Sequence, residues 1–200
     1  MDELNREGFF DRMKMRATDT SASETAAADA SVPSFDALFI EHWPAVYRTL
    51  LRLVGDPAEA EDLALETFLQ LHRHHPLPAE GFNLGGWLYR VATNLGLHSI
   101  RAFKRRERYE LAAGRGALDA APEDHPAEIL DRQEEHSAVR TVLAQMQTRQ
   151  AQLLIMRYSG IAYKDIAQAL GLSPASIGPL LLRAEREFEK HYRALIPQEG

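Results

Sequence analysis

Apolar residues recur at steps of three and four through residues 35–109 and again through 127–195, and over no useful length do they alternate as a half-buried strand requires. The spacing predicts an all-α chain. Phe35, Phe39, Trp43, Val46, Leu50 and Val54 line one face of a first helix, with Pro44 as its place to kink and Gly55 as its end. Asp56, Pro57 and Glu59 read as N-cap, first helical position and N-terminal acid of a second helix over about 57–74. That helix turns Ala60, Leu63, Ala64, Thr67, Phe68 and Leu71 inward and Glu59, Glu61, Asp62 and Glu66 outward. After a Pro-containing loop, Asn83 caps a third helix from Leu84 to about Arg108, with Leu84, Leu88, Val91, Leu95 and Phe103 as its inner stripe.

Residues 159–193 read as two amphipathic helices joined by a tight turn, the shape of a helix-turn-helix. Ile166, Ala167 and Leu170 form the first stripe, and Gly171 ends that helix in the left-handed conformation. Ser173 restarts the chain as an N-cap ahead of Pro174, where a missing N–H costs nothing. Ile177, Leu181, Ala184, Phe188 and Tyr192 then face inward, with Arg183, Arg186 and Lys190 opposite. Helical hairpins of this form also occur in proteins that never touch DNA, so the pattern needs a second signal.

Between the helical blocks the composition changes. Residues 17–34 are small and polar and cannot bury enough surface to offset ordering entropy, which makes 1–34 a disordered arm. Residues 110–126, rich in Ala, Gly, Pro and acid, make a linker. Two small helical domains, 35–109 and 127–200, fill the rest of the 200 residues. No apolar run approaches the roughly 20 residues that cross a bilayer, no signal core opens the chain and there is no cysteine. The expectation is a cytoplasmic protein without membrane insertion.

The net charge of −6 argues against indiscriminate coating of nucleic acid, but its distribution is uneven. From Arg90 to Arg108 stand six cations (Arg90, Arg101, Lys104, Arg105, Arg106 and Arg108) against the single acid Glu107. Such a cluster is a candidate phosphate surface. Trp87, Tyr89 and Asn94 just upstream are of the types that stack on and hydrogen-bond opened bases. The plainer alternatives are a core aromatic at Trp87, a basic helix end that complements its own dipole, and a merely solvated acidic face on the second helix. His72 and His75 share helical spacing, but Pro76 follows at once and no third ligand stands near, so the chain calls for no metal and no cofactor.

AEAEDLALETFLQLHRH (58–74), GWLYRVATNLGLHSIRAFKRRER (86–108) and RQAQLLIMRYSGIAYKDIAQALGLS (149–173) together resemble the extracytoplasmic-function branch of the sigma-70 family of bacterial RNA polymerase sigma factors. The resemblance implies a domain 2 helical bundle over 35–109 and a helix-turn-helix domain 4 over 127–200. In this family the first segment binds polymerase core at the β′ clamp, and Glu61, Asp62, Leu63, Glu66, Thr67, Phe68 and Leu69 stand at or beside those positions. The second handles the −10 promoter element, which assigns Trp87, Tyr89, Arg90 and Asn94 to it, with Arg101, Lys104, Arg105 and Arg106 as phosphate contacts. The implied partners are core polymerase, through β′ and β, and promoter DNA, with an anti-sigma factor left open. The implied mechanism is recognition without catalysis.

The duplex-reading helix departs from the family's pattern, since Gly178, Pro179 and Leu180 stand where a Lys-Ser-Arg step is common. Contact with the −35 element, through Ser173, Ala175, Ser176, Arg183 and Arg186, is the weakest implied function. Pro179 withholds a donor from the carbonyl of Ala175, so the helix is expected to kink there or to start late. Leu180 and Leu182 offer a candidate protein-binding face, with plain packing of one or the other as the simpler account. Competing classes are a metal enzyme, a stand-alone helix-turn-helix regulator and a purely protein-binding adaptor. A regulator footprints duplex DNA alone, whereas a sigma factor needs core enzyme.

Overall fold

The computed structural model describes residues 34–73, 82–113 and 127–195, with 127–134 as backbone only; the arm up to residue 33, the loop 74–81, the linker 114–126 and the last residues lie outside. Seven helices follow one another among the described residues: α1 (Phe35–Val54), α2 (Pro57–Arg73), α3 (Leu84–Ala112), α4 (Ala127–Gln145), α5 (Thr148–Tyr158), α6 (Tyr163–Leu170) and α7 (Pro174–Leu195).

Local chemistry sets several of the ends. Ser34 Oγ accepts from Ala37 N (3.2 Å) at the start of α1, Asp56 Oδ1 from Glu59 N (2.7 Å) at α2, and Asn83 Oδ1 from Gly86 N (2.7 Å) at α3. Gly55 and Gly171 close α1 and α6 at φ 84° and 63°, where a Cβ would be strained. The helix α1 runs unbroken through Pro44, and α7 begins at Pro174 with Pro179 inside it, so the late start expected for α7 is not adopted. Proline there removes one intrahelical bond near the helix start, and the buried stripe Ile177, Leu181, Ala184 and Phe188 holds the rest against the core. The helix α3 extends past the expected Arg108 to Ala112.

Two apolar clusters hold the helices. In the first, Val46 and Leu50 of α1, Ala60, Ala64, Phe68 and Leu71 of α2, and Leu88 and Ala92 of α3 are buried together, flanked by Phe35, Phe39, Trp43 and Trp87. The second joins Val142, Leu143 and Met146 to the buried residues of α5, α6 and α7. It also takes in Leu53 of α1 and Leu97 and Ile100 of α3, so α3 is covered on two faces. That corrects the expected inner stripe: Phe103 is 55% exposed, whereas Leu97 and Ile100 are buried. Of the leucines singled out on α7, Leu180 packs partly against the second cluster and Leu182 is exposed.

Candidate nucleic-acid interface and docking face

Period 3.6 separates the residues assigned to protein docking on α2 into an outer and an inner set. Glu61 and Asp62 are exposed, Leu63 and Glu66 half-buried, and Leu69 is 40% exposed. Glu66 accepts from Gln70 Nε2 (3.2 Å) and lies 3.8 Å from Arg73 Nη1, at the exposed surface. Thr67 and Phe68 are buried, the hydroxyl of Thr67 donating to Leu63 O (2.8 Å) and the ring of Phe68 lying 4.8 Å from that of Phe39. These two support the face from beneath. Leu65, 48% exposed beside Asp62 and Leu69, belongs to the outer set and was missed because one leucine in an apolar run carries no mark of its direction.

Glu59, expected to face outward, is half-buried and accepts a hydrogen bond from Ser99 Oγ, which ties α2 to α3. His72 sets its ring edge-on to Phe35 with centroids 5.3 Å apart, and His75 lies outside the described residues.

On α3 the assigned residues also divide. Arg90, Asn94, Arg105 and Arg106 are exposed. Lys104 is half-buried and paired with Glu107 Oε2 at 2.9 Å. Trp87 packs against the first cluster, as the core-aromatic alternative has it, and Tyr89 packs against the second. Burial pushes the Tyr89 phenol above its ordinary pKa, while Thr49 and the nearby Arg48 and Arg52 oppose the shift.

Arg101 is committed elsewhere. Its guanidinium donates from Nε to Ala144 O (3.1 Å), from Nη2 to Met146 O (2.8 Å) and from Nη1 to Thr148 Oγ1 (2.9 Å). The carbonyls at the end of α4 lack intrahelical partners and carry the negative end of its dipole, so a cation at that junction satisfies both needs. Each such charge-assisted bond contributes about 1.5–3 kcal/mol.

Asn94 is engaged from the same side. Gln152 of α5, a buried amide, points Nε2 at Asn94 Oδ1 (3.1 Å), with Thr93 Oγ1 and Arg90 O at 3.4 Å. A buried amide needs partners, and α3 supplies them. Between the two helices a cleft of about 420 Å³ is lined by Gln70, Asn94, His98, Arg101 and Thr148, among others. A second cleft of about 480 Å³ gathers Arg101, Lys104, Arg105 and Arg108 beside Thr141 of α4. Nothing in the sequence assigned a role to Gln152, although it lies in the 149–173 segment, or to Thr148 just before it, because both act on residues more than forty positions away.

The helices α6 and α7 form the expected hairpin, with Arg149 Nη2 donating to Leu170 O (2.8 Å) at the end of α6. At the start of α7, Ser173 and Ala175 are exposed and Ser176 is half-buried, its N (3.0 Å) and Oγ (2.7 Å) both donating to Ser173 O. Arg183 and Arg186 are exposed further along, and Gly178 and Pro179 leave the intervening surface uncharged.

Residues 38–107 match the profile described as Sigma-70 region 2, and 136–188 the one described as Sigma-70, region 4. Across 87% of its length the chain is 27% identical to the ECF RNA polymerase sigma factor SigE of Mycolicibacterium smegmatis, of which it covers 67%. It is 29% identical to the ECF RNA polymerase sigma factor BldN of Streptomyces coelicolor, over 89% of this chain and 64% of that one. With the ECF RNA polymerase sigma factor SigL of Mycobacterium tuberculosis it shares 28% identity over 82% of this chain and 90% of SigL. A solved structure of CnrH in complex with the cytosolic domain of CnrY, 17% identical, shares the fold at a TM-score of 0.52 over 80% of this chain and 88% of CnrH. Both region profiles fall in the family's order on the helices just described, and the chain belongs to the sigma-70 family of RNA polymerase sigma factors, in its extracytoplasmic-function branch, the factors that direct core polymerase to promoters.

Proposed function

We propose that this sigma factor divides its work between two neighbouring helices, docking on polymerase core with α2 and capturing the opened −10 strand with α3. The observation that carries the reading is the opposition of charge between them: Glu61 and Asp62 stand exposed on α2, while Arg90, Arg105 and Arg106 stand exposed on α3. An acidic face rimmed by Leu65 and Leu69 suits a basic, partly apolar protein surface such as a polymerase clamp. A basic helix suits a strand whose phosphates fix register, with Asn94 reading a base edge. Melting becomes favourable only when the exposed bases are held, since unstacking costs a few kcal/mol per step and stacking on protein returns about 1–3.

Within this reading, 35–109 is domain 2, 110–126 the linker and 127–200 domain 4, whose α7 meets −35 DNA weakly through Ser173, Ala175, Ser176, Arg183 and Arg186. The chain supplies specificity and no catalysis, needs no cofactor, and works in the cytoplasm beside polymerase. An anti-sigma protein is the further partner proposed. Run-off transcription from genomic fragments, with core polymerase and with or without the chain, tests the reading, together with a footprint of the chain alone. Discrete transcripts that need both components support it. A footprint by the chain alone, with no transcript on adding core, would instead favour the stand-alone helix-turn-helix regulator.

A further inference from the structure

Leu65 and Leu69 of α2 are 48% and 40% exposed, and Ile40 of α1 is 74% exposed. Leu65 and Leu69 flank Phe68 in sequence, and Ile40 follows Phe39, whose ring centre lies 4.8 Å from that of Phe68. The three therefore crop out along the α1–α2 seam, beside the exposed acids Glu61 and Asp62. An apolar, acidic face fits a partner that is apolar and basic. The chain itself carries one such segment outside the described helices. In residues 9–16, FFDRMKMR, the apolar side chains of Phe9, Phe10, Met13 and Met15 are interleaved with Arg12, Lys14 and Arg16, against the single acid Asp11. Residues 17–33, between that segment and α1, hold no aromatic residue and no Lys or Arg, the composition of a tether.

The tether joins the helices at the edge of this face. Ser34 caps α1, and the ring centre of the next residue, Phe35, lies 5.3 Å from that of His72 on α2. From His72 to Glu61 is eleven helical residues, about 16 Å. A small, polar tether of seventeen residues spans about 20–25 Å root-mean-square, enough to bring residues 9–16 over the whole face. At that length the effective concentration of a tethered segment is on the order of 1 mM. A contact of only about 100 μM, taken alone, then occupies the face in about nine chains of ten. We propose that residues 9–16 dock on the α1–α2 face of their own chain and compete there with the polymerase clamp. The inference rests on the reading of α2 as the docking face. Phe9, Phe10 and Met13 cover Ile40, Leu65 and Leu69, while Arg12, Lys14 and Arg16 answer Glu61 and Asp62. Because the arm and the face belong to one chain, the competition does not depend on protein concentration.

Two measurements on the full-length chain test the inference. The first is affinity for core polymerase. The triple reversal Arg12→Glu, Lys14→Glu and Arg16→Glu, and separately the pair Phe9→Ser and Phe10→Ser, should each tighten binding by about fivefold to tenfold, the gain from freeing a face that is open in about one chain of ten. The second uses the absence of cysteine, so that Gly8→Cys carries one nitroxide label beside the segment. The label should broaden the amide signals of Ile40 and of residues 61–69, and the triple reversal should restore them. Core binding left unchanged or weakened by either arm variant would overturn the inference, as would signals of 61–69 that stay sharp. Broadening that arises only between labelled and unlabelled copies in a mixture would also overturn it, in favour of docking on a second chain. Glu61→Lys with Asp62→Lys separates this inference from the reading beneath it. If that variant binds core as the wild type does, α2 is not the docking face and both fail; if it binds weakly while the arm variants are neutral, only the inference fails.

Discussion

Asp62 and Glu66 stand four residues apart, one turn along the outside of α2, over a layer in which Thr67 and Phe68 are already buried. Reversing both charges, Asp62→Lys and Glu66→Lys, therefore leaves the packing intact and presents cations where the partner is expected to carry its own. Binding to a β′ clamp fragment should weaken by about tenfold or more, since like charges across an interface cost several kcal/mol, while the circular dichroism spectrum stays the same. Wild-type capture of the fragment by the variant would rule out α2 as the docking face. A second residue-scale expectation concerns Tyr158, whose hydroxyl donates to Glu185 Oε1 at 3.2 Å. Burial, and after it the Glu185 carboxylate, pushes the phenol well above its ordinary value of 10.0. Folded, it keeps its proton at a pH where the unfolded chain gives one up, so its contribution to stability is whole below about pH 10 and drains away above it. Urea unfolding of Tyr158→Phe at about pH 8 and pH 11 should show a smaller alkaline loss than the wild type, the remainder belonging to Tyr89 and Tyr192, both also shifted upward. Identical losses would mean that the Tyr158 phenol titrates alike in both states.

Elements were legible in the sequence to the extent that one side of each was covered by its neighbours in the chain. Capping at Asp56 and Asn83, the glycine ends at Gly55 and Gly171, and the stripe from Ile177 to Phe188 are local chemistry, and each appears as the spacing predicts, whereas Ser34, read as the last residue of the arm, caps α1. The inner stripe of α3 was only partly legible. Periodicity reports one apolar face, but α3 is packed by α1 and α2 on one side and by helices from beyond the linker on another, so Leu97 and Ile100 go inside and Phe103 goes out. The engagement of Arg101 and Asn94 by α4 and α5 was illegible for the same reason, being set by contacts between distant segments. At α7 the departure noted in sequence has a physical remedy. A Cβ added at Gly178 meets nothing within 4 Å, and Pro179 is exposed, whereas Leu180 packs into the core and should be left alone. Gly178→Lys with Pro179→Ser should tighten binding of the full-length chain to −35 duplex by about threefold to tenfold and steepen its salt dependence by about one counterion. A titration at two salt concentrations checks this, and an unchanged slope would show that residue 178 does not face the phosphates.

At the scale of the whole molecule a chain of net charge −6 approaches a polyanion, which it can do only by segregating its charges. Exposed Glu61 and Asp62 stand on α2, the proposed docking face, while Arg105, Arg106 and Arg108 are exposed on the far part of α3 and Arg183 and Arg186 on α7. Because Leu53, Leu97 and Ile100 complete the core of the C-terminal helices, the two halves are energetically linked, and opening one surface disturbs the other. Motif order and spacing made the family legible from sequence; the coupling of the halves needed the fold. On the proposed division of labour α3 captures the opened strand after α2 has docked. Permanganate reactivity of −10 thymines in core–sigma complexes at a responsive promoter tests it most directly, comparing the wild type with the Arg105→Ala, Arg106→Ala double variant. The variant should bind core normally yet leave the −10 thymines largely unreactive, with promoter affinity losing about two units of salt slope. Full reactivity at wild-type salt dependence would contradict it.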